Sequence, residues 1–209
     1  MILYGYFRSS AAWRVRIALN LKGLSAEPRY QHLRKGEQRS PEYLAVNPQG
    51  LLPSLVLEDG AILTQSLAIC EYLDELHPEP PLLPSNPVAR ARVRAFSQVI
   101  ACDIHPLQNL KVLKALEARG QTPEETQVWA RDVIASGFDA LETLVAGHSR
   151  PFAFGDQPSL ADICLVPQMA NARRFGVELR WPRLLAVEAA CAALPAFADA
   201  HPDRQPDAE

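Results

Sequence analysis

Residues 1–20, MILYGYFRSSAAWRVRIALN, carry the reading that decides the fold. Ile2 to Phe7 is an apolar run of strand length, and beyond it apolar residues recur at the helical period through Ile17, Leu21 and Leu24. Between the two lie Arg8, Ser9 and Ser10, so a strand feeds a helix through a very short turn with two hydroxyls at the helix mouth. A helix start leaves N–H groups without partners and carries the positive end of the backbone dipole, which suits an anion. The same serines also read as an ordinary N-cap, worth about 1 kcal/mol. Local sequence leaves both readings open.

Working outward, a mixed run at Arg29 to Leu33 follows, and then LLPSLVLEDGAILT at 51–64, where Asp59-Gly60 separates two apolar runs as a hairpin turn does. Ile69, Leu73 and Leu76 mark a helix that ends at His77-Pro78. The first 78 residues therefore read β-α-β, then β-β-α. Residues 78–87, PEPPLLPSNP, place five prolines in ten positions and read as a linker. From residue 88 onward strand signals vanish. Asn86-Pro87, Thr122-Pro123-Glu124-Glu125 and Ser159-Leu160-Ala161-Asp162 are helix starts, the last two with capping-box spacing. The expected division is 1–78, a linker at 79–87, and a helical domain at 88–209. The final stretch, HPDRQPDAE, is polar and broken by proline, to be loosely ordered or pinned along the surface.

Composition narrows the chemistry. The chain has 209 residues, 48% of them hydrophobic, and a formal net charge of -3, with no basic excess to track nucleic-acid phosphates. Cys70, Cys102, Cys164 and Cys191 lie far apart with no zinc spacing and read as small buried hydrophobes in a reducing compartment, so a cytoplasmic location is expected and no metal site. ILYGYF is too short for a signal-peptide core, and no stretch approaches the roughly 20 apolar residues that span a bilayer. Trp13, Trp129 and Trp181 read as core or interface residues.

Two further stretches of the first domain join the opening serines. NPQGLLPSL at 47–55 sets Leu52-Pro53 before a strand, where an unpaired backbone edge can accept an extended peptide; the bond is expected trans, with cis as the alternative. TQSLAI places Gln65 and Ser66 at a second helix start. Two helix mouths and a strand edge suit a short anionic peptide carrying a thiol.

SSAAWRVRIAL (9–19), NPQGLLPSL (47–55), TQSLAICEYL (64–73), PLQNLKVL (106–113) and LADICLVPQMANARRF (160–175) together resemble the zeta-class glutathione transferases that act as maleylacetoacetate and maleylpyruvate isomerases. The resemblance covers nearly the whole chain. It implies a thioredoxin-like α/β domain followed by an all-helical domain, a homodimer, glutathione as cofactor, and cis-trans isomerisation of maleylpyruvate to fumarylpyruvate by reversible thiolate addition in aromatic degradation. The alternatives it carries are maleylacetoacetate isomerisation in tyrosine catabolism, or a conjugating or dehalogenating transferase. A non-catalytic binding protein on the same fold is a third class, disfavoured by the hydroxyl at the helix mouth.

The resemblance also assigns residues. Ser9 matches the serine that holds the glutathione sulfur as thiolate, with Ser10 beside it. Leu52 pairs its backbone with the cysteinyl unit through the turn at Pro53, Gln65 and Ser66 bind the γ-glutamyl end, and Gln38 meets the glycyl carboxylate. In the helical domain His105 and Asn109 lie near the cleft, and Arg174 takes a substrate carboxylate; apart from the resemblance, Arg8 is a second candidate cation from its place at a strand end beside Ser9, with a solvated face as its competing reading. For Arg174 beside Arg173 a solvated helix face is the competing reading, and for His105 a capped helix end. Many members carry cysteine where this chain has Ala11, so no protein thiol acts there. Glutamine is common in the family at the position of His105.

Overall fold

The structure is a computed structural model and describes residues 1–147 and 149–209. The chain forms two compact units, Met1–Leu82 together with Ala193–Glu209, and Leu83–Ala192.

The first unit is built on β1 (Ile2–Gly5), α1 (Ser10–Leu21), β2 (Glu27–Tyr30), α2 (Pro41–Val46), β3 (Ser54–Val56), β4 (Ile62–Thr64) and α3 (Ser66–Leu76). The sheet order is β2-β1-β3-β4. β1 runs parallel to β2, with Gly5 opposite Tyr30, and antiparallel to β3, with Tyr4 opposite Ser54. β3 is antiparallel to β4, with Ser54 opposite Thr64. The expected β-α-β, β-β-α order is present, with α2 added between its halves. β2 begins earlier than the Arg29–Leu33 run because it is an exposed edge strand, where burial imposes no apolar pattern. The turn after β3 occupies residues 57–61, with Asp59 Oδ1 accepting from the Ala61 N–H at 2.9 Å.

α1 packs on α3, and α3 on β4. Ile17, Ala18, Ile69 and Leu73 are fully buried, as the helical period requires, whereas Leu76 is 55% exposed.

The proline-rich stretch is pinned. Lys22 Nζ donates to Asp74 Oδ1 at 2.7 Å, to the His77 carbonyl at 2.7 Å and to the Pro80 carbonyl at 2.5 Å. Asp74 Oδ1 also accepts the Leu82 N–H at 2.7 Å. One buried ion pair thus gathers both sides of the chain's exit from α3.

Residues 193–209 group with the first unit, although the sequence pattern runs on as part of the helical stretch. Of the two expectations for the final residues, the pinned one describes the structure. The short helix α9 (Pro195–Asp199; α8 is given below) lies on α1, Asn20 Nδ2 donates to the Ala196 carbonyl at 3.0 Å, and the Trp13 ring meets His201 edge-on at 5.2 Å.

The second unit is helical: α4 (Pro87–Gln98) continuing into a π-helical turn at Val99–Ile104, then α5 (Leu110–Glu117), α6 (Pro123–Leu144), α7 (Leu160–Arg174) and α8 (Pro182–Ala192). The three expected starts hold. Asn86 Oδ1 accepts from Val88 and Ala89, Thr122 and Glu125 close a capping box, and Ser159 and Asp162 close another. Asp162 is fully buried, and burial pushes its carboxyl up against the pull of bonds from Ala153 and Ser159. No helix among the described residues is long and apolar enough to cross a membrane. Cys70, Cys164 and Cys191 are buried, but Cys102 is exposed, because it falls on the outer face of the π-helical turn. Trp13 and Trp181 are core residues, whereas Trp129 is 41% exposed and donates Nε1–H to the Leu107 carbonyl at 2.9 Å.

Candidate functional site

The strand register places the first-unit candidates at one end of the sheet. β1 and β4 run toward that end and β3 runs away from it, so the residues after Gly5, the residues before Ser54 and the residues after Thr64 emerge side by side. Those residues are Arg8 to Ser10, Leu52-Pro53, and Gln65-Ser66. β2 ends there as well, at Tyr30, and the segment after it carries Gln38.

Ser9 is the N-cap of α1, and its hydroxyl oxygen accepts from the Ala12 N–H at 3.2 Å. A hydroxyl that accepts through a lone pair keeps its proton to donate, so the capping and anion-holding readings of this serine coexist. Ser10 is the first helical residue and is buried, whereas Ser9 is half-exposed. Arg8 is half-exposed, with its guanidinium 6.0 Å from the Phe7 ring centroid.

The Leu52-Pro53 bond is cis, in place of the trans form expected from sequence. The carbonyl just before Leu52, that of Leu51, is held by two donors, Tyr43 Oη at 2.6 Å and Asn47 Nδ2 at 2.8 Å. Burial pushes the Tyr43 phenol up, which keeps it protonated and donating. Leu52 itself precedes the ladder that begins at Ser54.

Gln65 has φ of 68°, the one non-glycine residue with positive φ among the described residues. A left-handed glutamine is strained by about 1–3 kcal/mol and persists only where its surroundings impose it. Gln65 Nε2 donates to Gln49 Oε1 at 3.0 Å, and Gln65 provides no side-chain cap for α3. Ser66 Oγ accepts instead from Arg14 Nη1 at 3.2 Å. Arg14, on α1, is 1% exposed, and its Nε and Nη2 have no hydrogen-bond partner. Sequence reasoning missed this residue, since an arginine inside WRVR carries no mark of burial. A buried cation behind an uncapped helix mouth favours an anion at Ser66. The γ-glutamyl end of glutathione carries an α-carboxylate, an anion of the kind such a helix mouth suits. Gln38 is half-buried beside the 47–51 turn, with a buried Oε1 that lacks a partner, and a Cβ on Gly50 would meet the Gln38 carbonyl at 3.0 Å.

In the second unit, His105 follows the π-helical turn and its N–H donates to the Ile100 carbonyl at 2.8 Å, so it does close a helix end. Asn109 caps α5, its Oδ1 accepting from Lys111 at 3.0 Å. Arg174 is the last residue of α7, exposed, with its guanidinium 5.3 Å from the Phe175 ring centroid. Arg173 makes a two-pronged bond to Glu188, each contact 2.5 Å. The neighbouring arginines therefore have different surroundings.

Residues 3–81 match the glutathione S-transferase N-terminal domain, and residues 87–197 match its C-terminal domain. The chain is 47% identical to the maleylacetoacetate isomerase of Pseudomonas aeruginosa, over 99% of this chain and 98% of that one. It is 45% identical to the maleylpyruvate isomerase of a Ralstonia species, over 99% of each. The holo structure of a bacterial zeta-class maleylpyruvate isomerase superposes over the whole of both chains with a TM-score of 0.96 at 44% identity. Related maleylacetoacetate isomerases have been solved with bound glutathione, one of them from Anaeromyxobacter dehalogenans 2CP-1 with dicarboxyethyl glutathione and citrate in the active site. The chain belongs to the glutathione S-transferase family, and within it to the zeta-class group of the maleylacetoacetate and maleylpyruvate isomerases.

Proposed function

We propose that the chain is a glutathione-dependent cis-trans isomerase that converts maleylpyruvate to fumarylpyruvate. The observation that carries the site reading is the shared end of the sheet, where the α1 mouth with Ser9, the Leu52 edge and the α3 mouth with Ser66 and buried Arg14 emerge together. Bound glutathione supplies a thiolate that adds reversibly to the conjugated double bond of a cis enedioate ketone and so frees it to rotate. Ser9 donates a hydrogen bond from its hydroxyl to the sulfur, and the N-terminus of α1 favours the thiolate further. Ser10 is the weaker candidate because it is buried. Leu52 offers backbone partners to the cysteinyl unit, Gln65 and Ser66 hold the γ-glutamyl carboxylate, and Gln38 holds the glycyl end. Arg8 holds charge on the substrate. His105 and Asn109 are assigned to glutathione, and Arg174 to a substrate carboxylate, on the resemblance.

Maleylacetoacetate is the second reading, favoured by the name of the Pseudomonas aeruginosa relative. The test is turnover of each enedioate with catalytic amounts of glutathione. Isomer formed without loss of free thiol supports the proposal, and the substrate with the higher kcat/KM names the reaction. Stoichiometric loss of thiol would instead indicate a conjugating transferase.

The enzyme is further proposed to be a homodimer, in keeping with the exposed apolar side chains Ile62 and Leu76. Sedimentation gives its mass. A cytoplasmic location suits its four free thiols.

A further inference from the structure

The turn that carries Arg8 and Ser9 is held at Phe7 from two distant places. The Phe7 N–H donates to Asp207 Oδ2 at 2.8 Å, and the Phe7 carbonyl accepts from Arg16 Nη2 at 2.9 Å. Arg16 Nε in turn donates to the Ala200 carbonyl at 3.1 Å. Two residues on, the Ser9 N–H donates to the Tyr6 carbonyl at 2.9 Å, closing the turn. Phe7 is 4% exposed, so its peptide groups have little access to water and depend on these partners. Burial lowers the Arg16 pKa to about 10, and Asp207 is the first group that opposes the shift. Arg16 and Asp207 thus form one brace that spans Phe7, and both ends reach into residues 193–209.

We propose that Asp207, reaching back from residues 193–209, is a positioning residue for the Arg8–Ser9 turn. This rests on the role of Ser9 proposed above. A donor that stabilises a thiolate must be placed to about 0.5 Å, and a short turn, here Tyr6 to Ser9, keeps such precision only when its own peptide groups are fixed. β1 fixes the chain up to Gly5 and α1 fixes it from Ser10. Phe7 is in the gap between them, and the brace fills that gap.

The test compares Asp207→Ala, Asp207→Asn, Ser9→Ala and Asn20→Ala in the full-length protein. The readouts are kcat, the dissociation constant for glutathione, and the thiol pKa of bound glutathione followed by ultraviolet thiolate absorbance. Asp207→Ala should lower kcat by about ten- to hundredfold, the scale of a small misplacement, raise the bound thiol pKa, and leave glutathione affinity within about twofold. Asp207→Asn keeps an oxygen that accepts the Phe7 N–H and should recover most of the loss. Asn20→Ala removes a different contact of the same segment, with the Ala196 carbonyl, and should change none of the three. An unchanged thiol pKa in Asp207→Ala overturns the inference, as does an equal effect of Asn20→Ala. If Asp207→Ala does not fold, Asp207→Gln, which displaces the acceptor by one methylene, should show the same raised thiol pKa; if neither folds, Asp207 is a structural residue and the inference is wrong. Ser9→Ala separates the two levels of the argument. No thiol shift there refutes the role of Ser9 itself, whereas a shift at Ser9 without one at Asp207 refutes only the brace.

Discussion

Ser9 caps α1 and is proposed also to donate to the glutathione sulfur, and the two roles can be taken apart by substitution. Its oxygen accepts the Ala12 N–H at 3.2 Å, and its proton remains available to a sulfur. Removing the first job is the loss of an N-cap, about 1 kcal/mol, or roughly 2–4 °C in Tm for a chain of this size. Removing the second is the loss of one preorganised donor to a developing or fixed negative charge, about 10²- to 10³-fold in turnover in comparable sites. Ser9→Ala should therefore show both effects. Ser9→Gly should show mainly the second, since glycine caps a helix within a few tenths of a kcal/mol of serine. Ser9→Thr retains the hydroxyl and the cap and should show little of either. The assay is a thermal melt beside kcat and KM for glutathione, with the thiolate absorbance of bound glutathione titrated against pH. A Ser9→Gly protein with wild-type turnover and an unshifted thiol pKa would refute the donor role and leave Ser9 as a cap alone.

Other expectations follow from the same geometry. Ser66→Ala should raise KM for glutathione with little change in kcat, because its proposed contact is with a part of the cofactor that does not react; a fall in kcat at saturating glutathione with KM unmoved would reverse the roles of the two helix mouths. Arg174→Ala should raise KM for the enedioate and spare glutathione binding, with Arg174→Lys recovering only part because the two-pronged contact is lost. Arg173→Ala should cost at most about 1 kcal/mol in stability, since its pair with Glu188 is largely exposed, and equal kinetic effects at 173 and 174 would point to a diffuse field instead. Asp74→Ala leaves the Lys22 ammonium buried without its counter-charge and should destabilise by about 3–5 kcal/mol in a denaturant melt, whereas replacing both partners with apolar residues should restore much of that.

What the sequence made legible was local. The order of β1, α1, β3, β4 and α3 follows from hydrophobic period, and Ser9, Asn86, Thr122 and Ser159 follow from capping chemistry that acts over two to three residues. The placement of Ser9, Leu52, Gln65 and Ser66 was legible for the same reason, since each lies at or beside the end of an element, where backbone groups lack intra-element partners. The groups that hold them were hidden, because their partners lie far away along the chain. Arg14 and Arg16 flank Val15 in a run whose pattern alone assigns charged residues to solvent, yet Arg14 is buried against Ser66 and Arg16 spans from Phe7 to Ala200. The left-handed backbone of Gln65 carries no mark either, as that conformation is ordinarily supplied by glycine or asparagine. Asp207 reads as one more acid in a polar tail and finds its partner 200 residues earlier. A residue that touches a ligand must stand at an open end of an element, which sequence marks; a residue that orients it must come from elsewhere in the fold, which only the packed chain can show. Arg14, Arg16 and Asp207, which reach these element ends from elsewhere in the fold, are therefore where substitutions chosen from sequence motifs alone would fail to look.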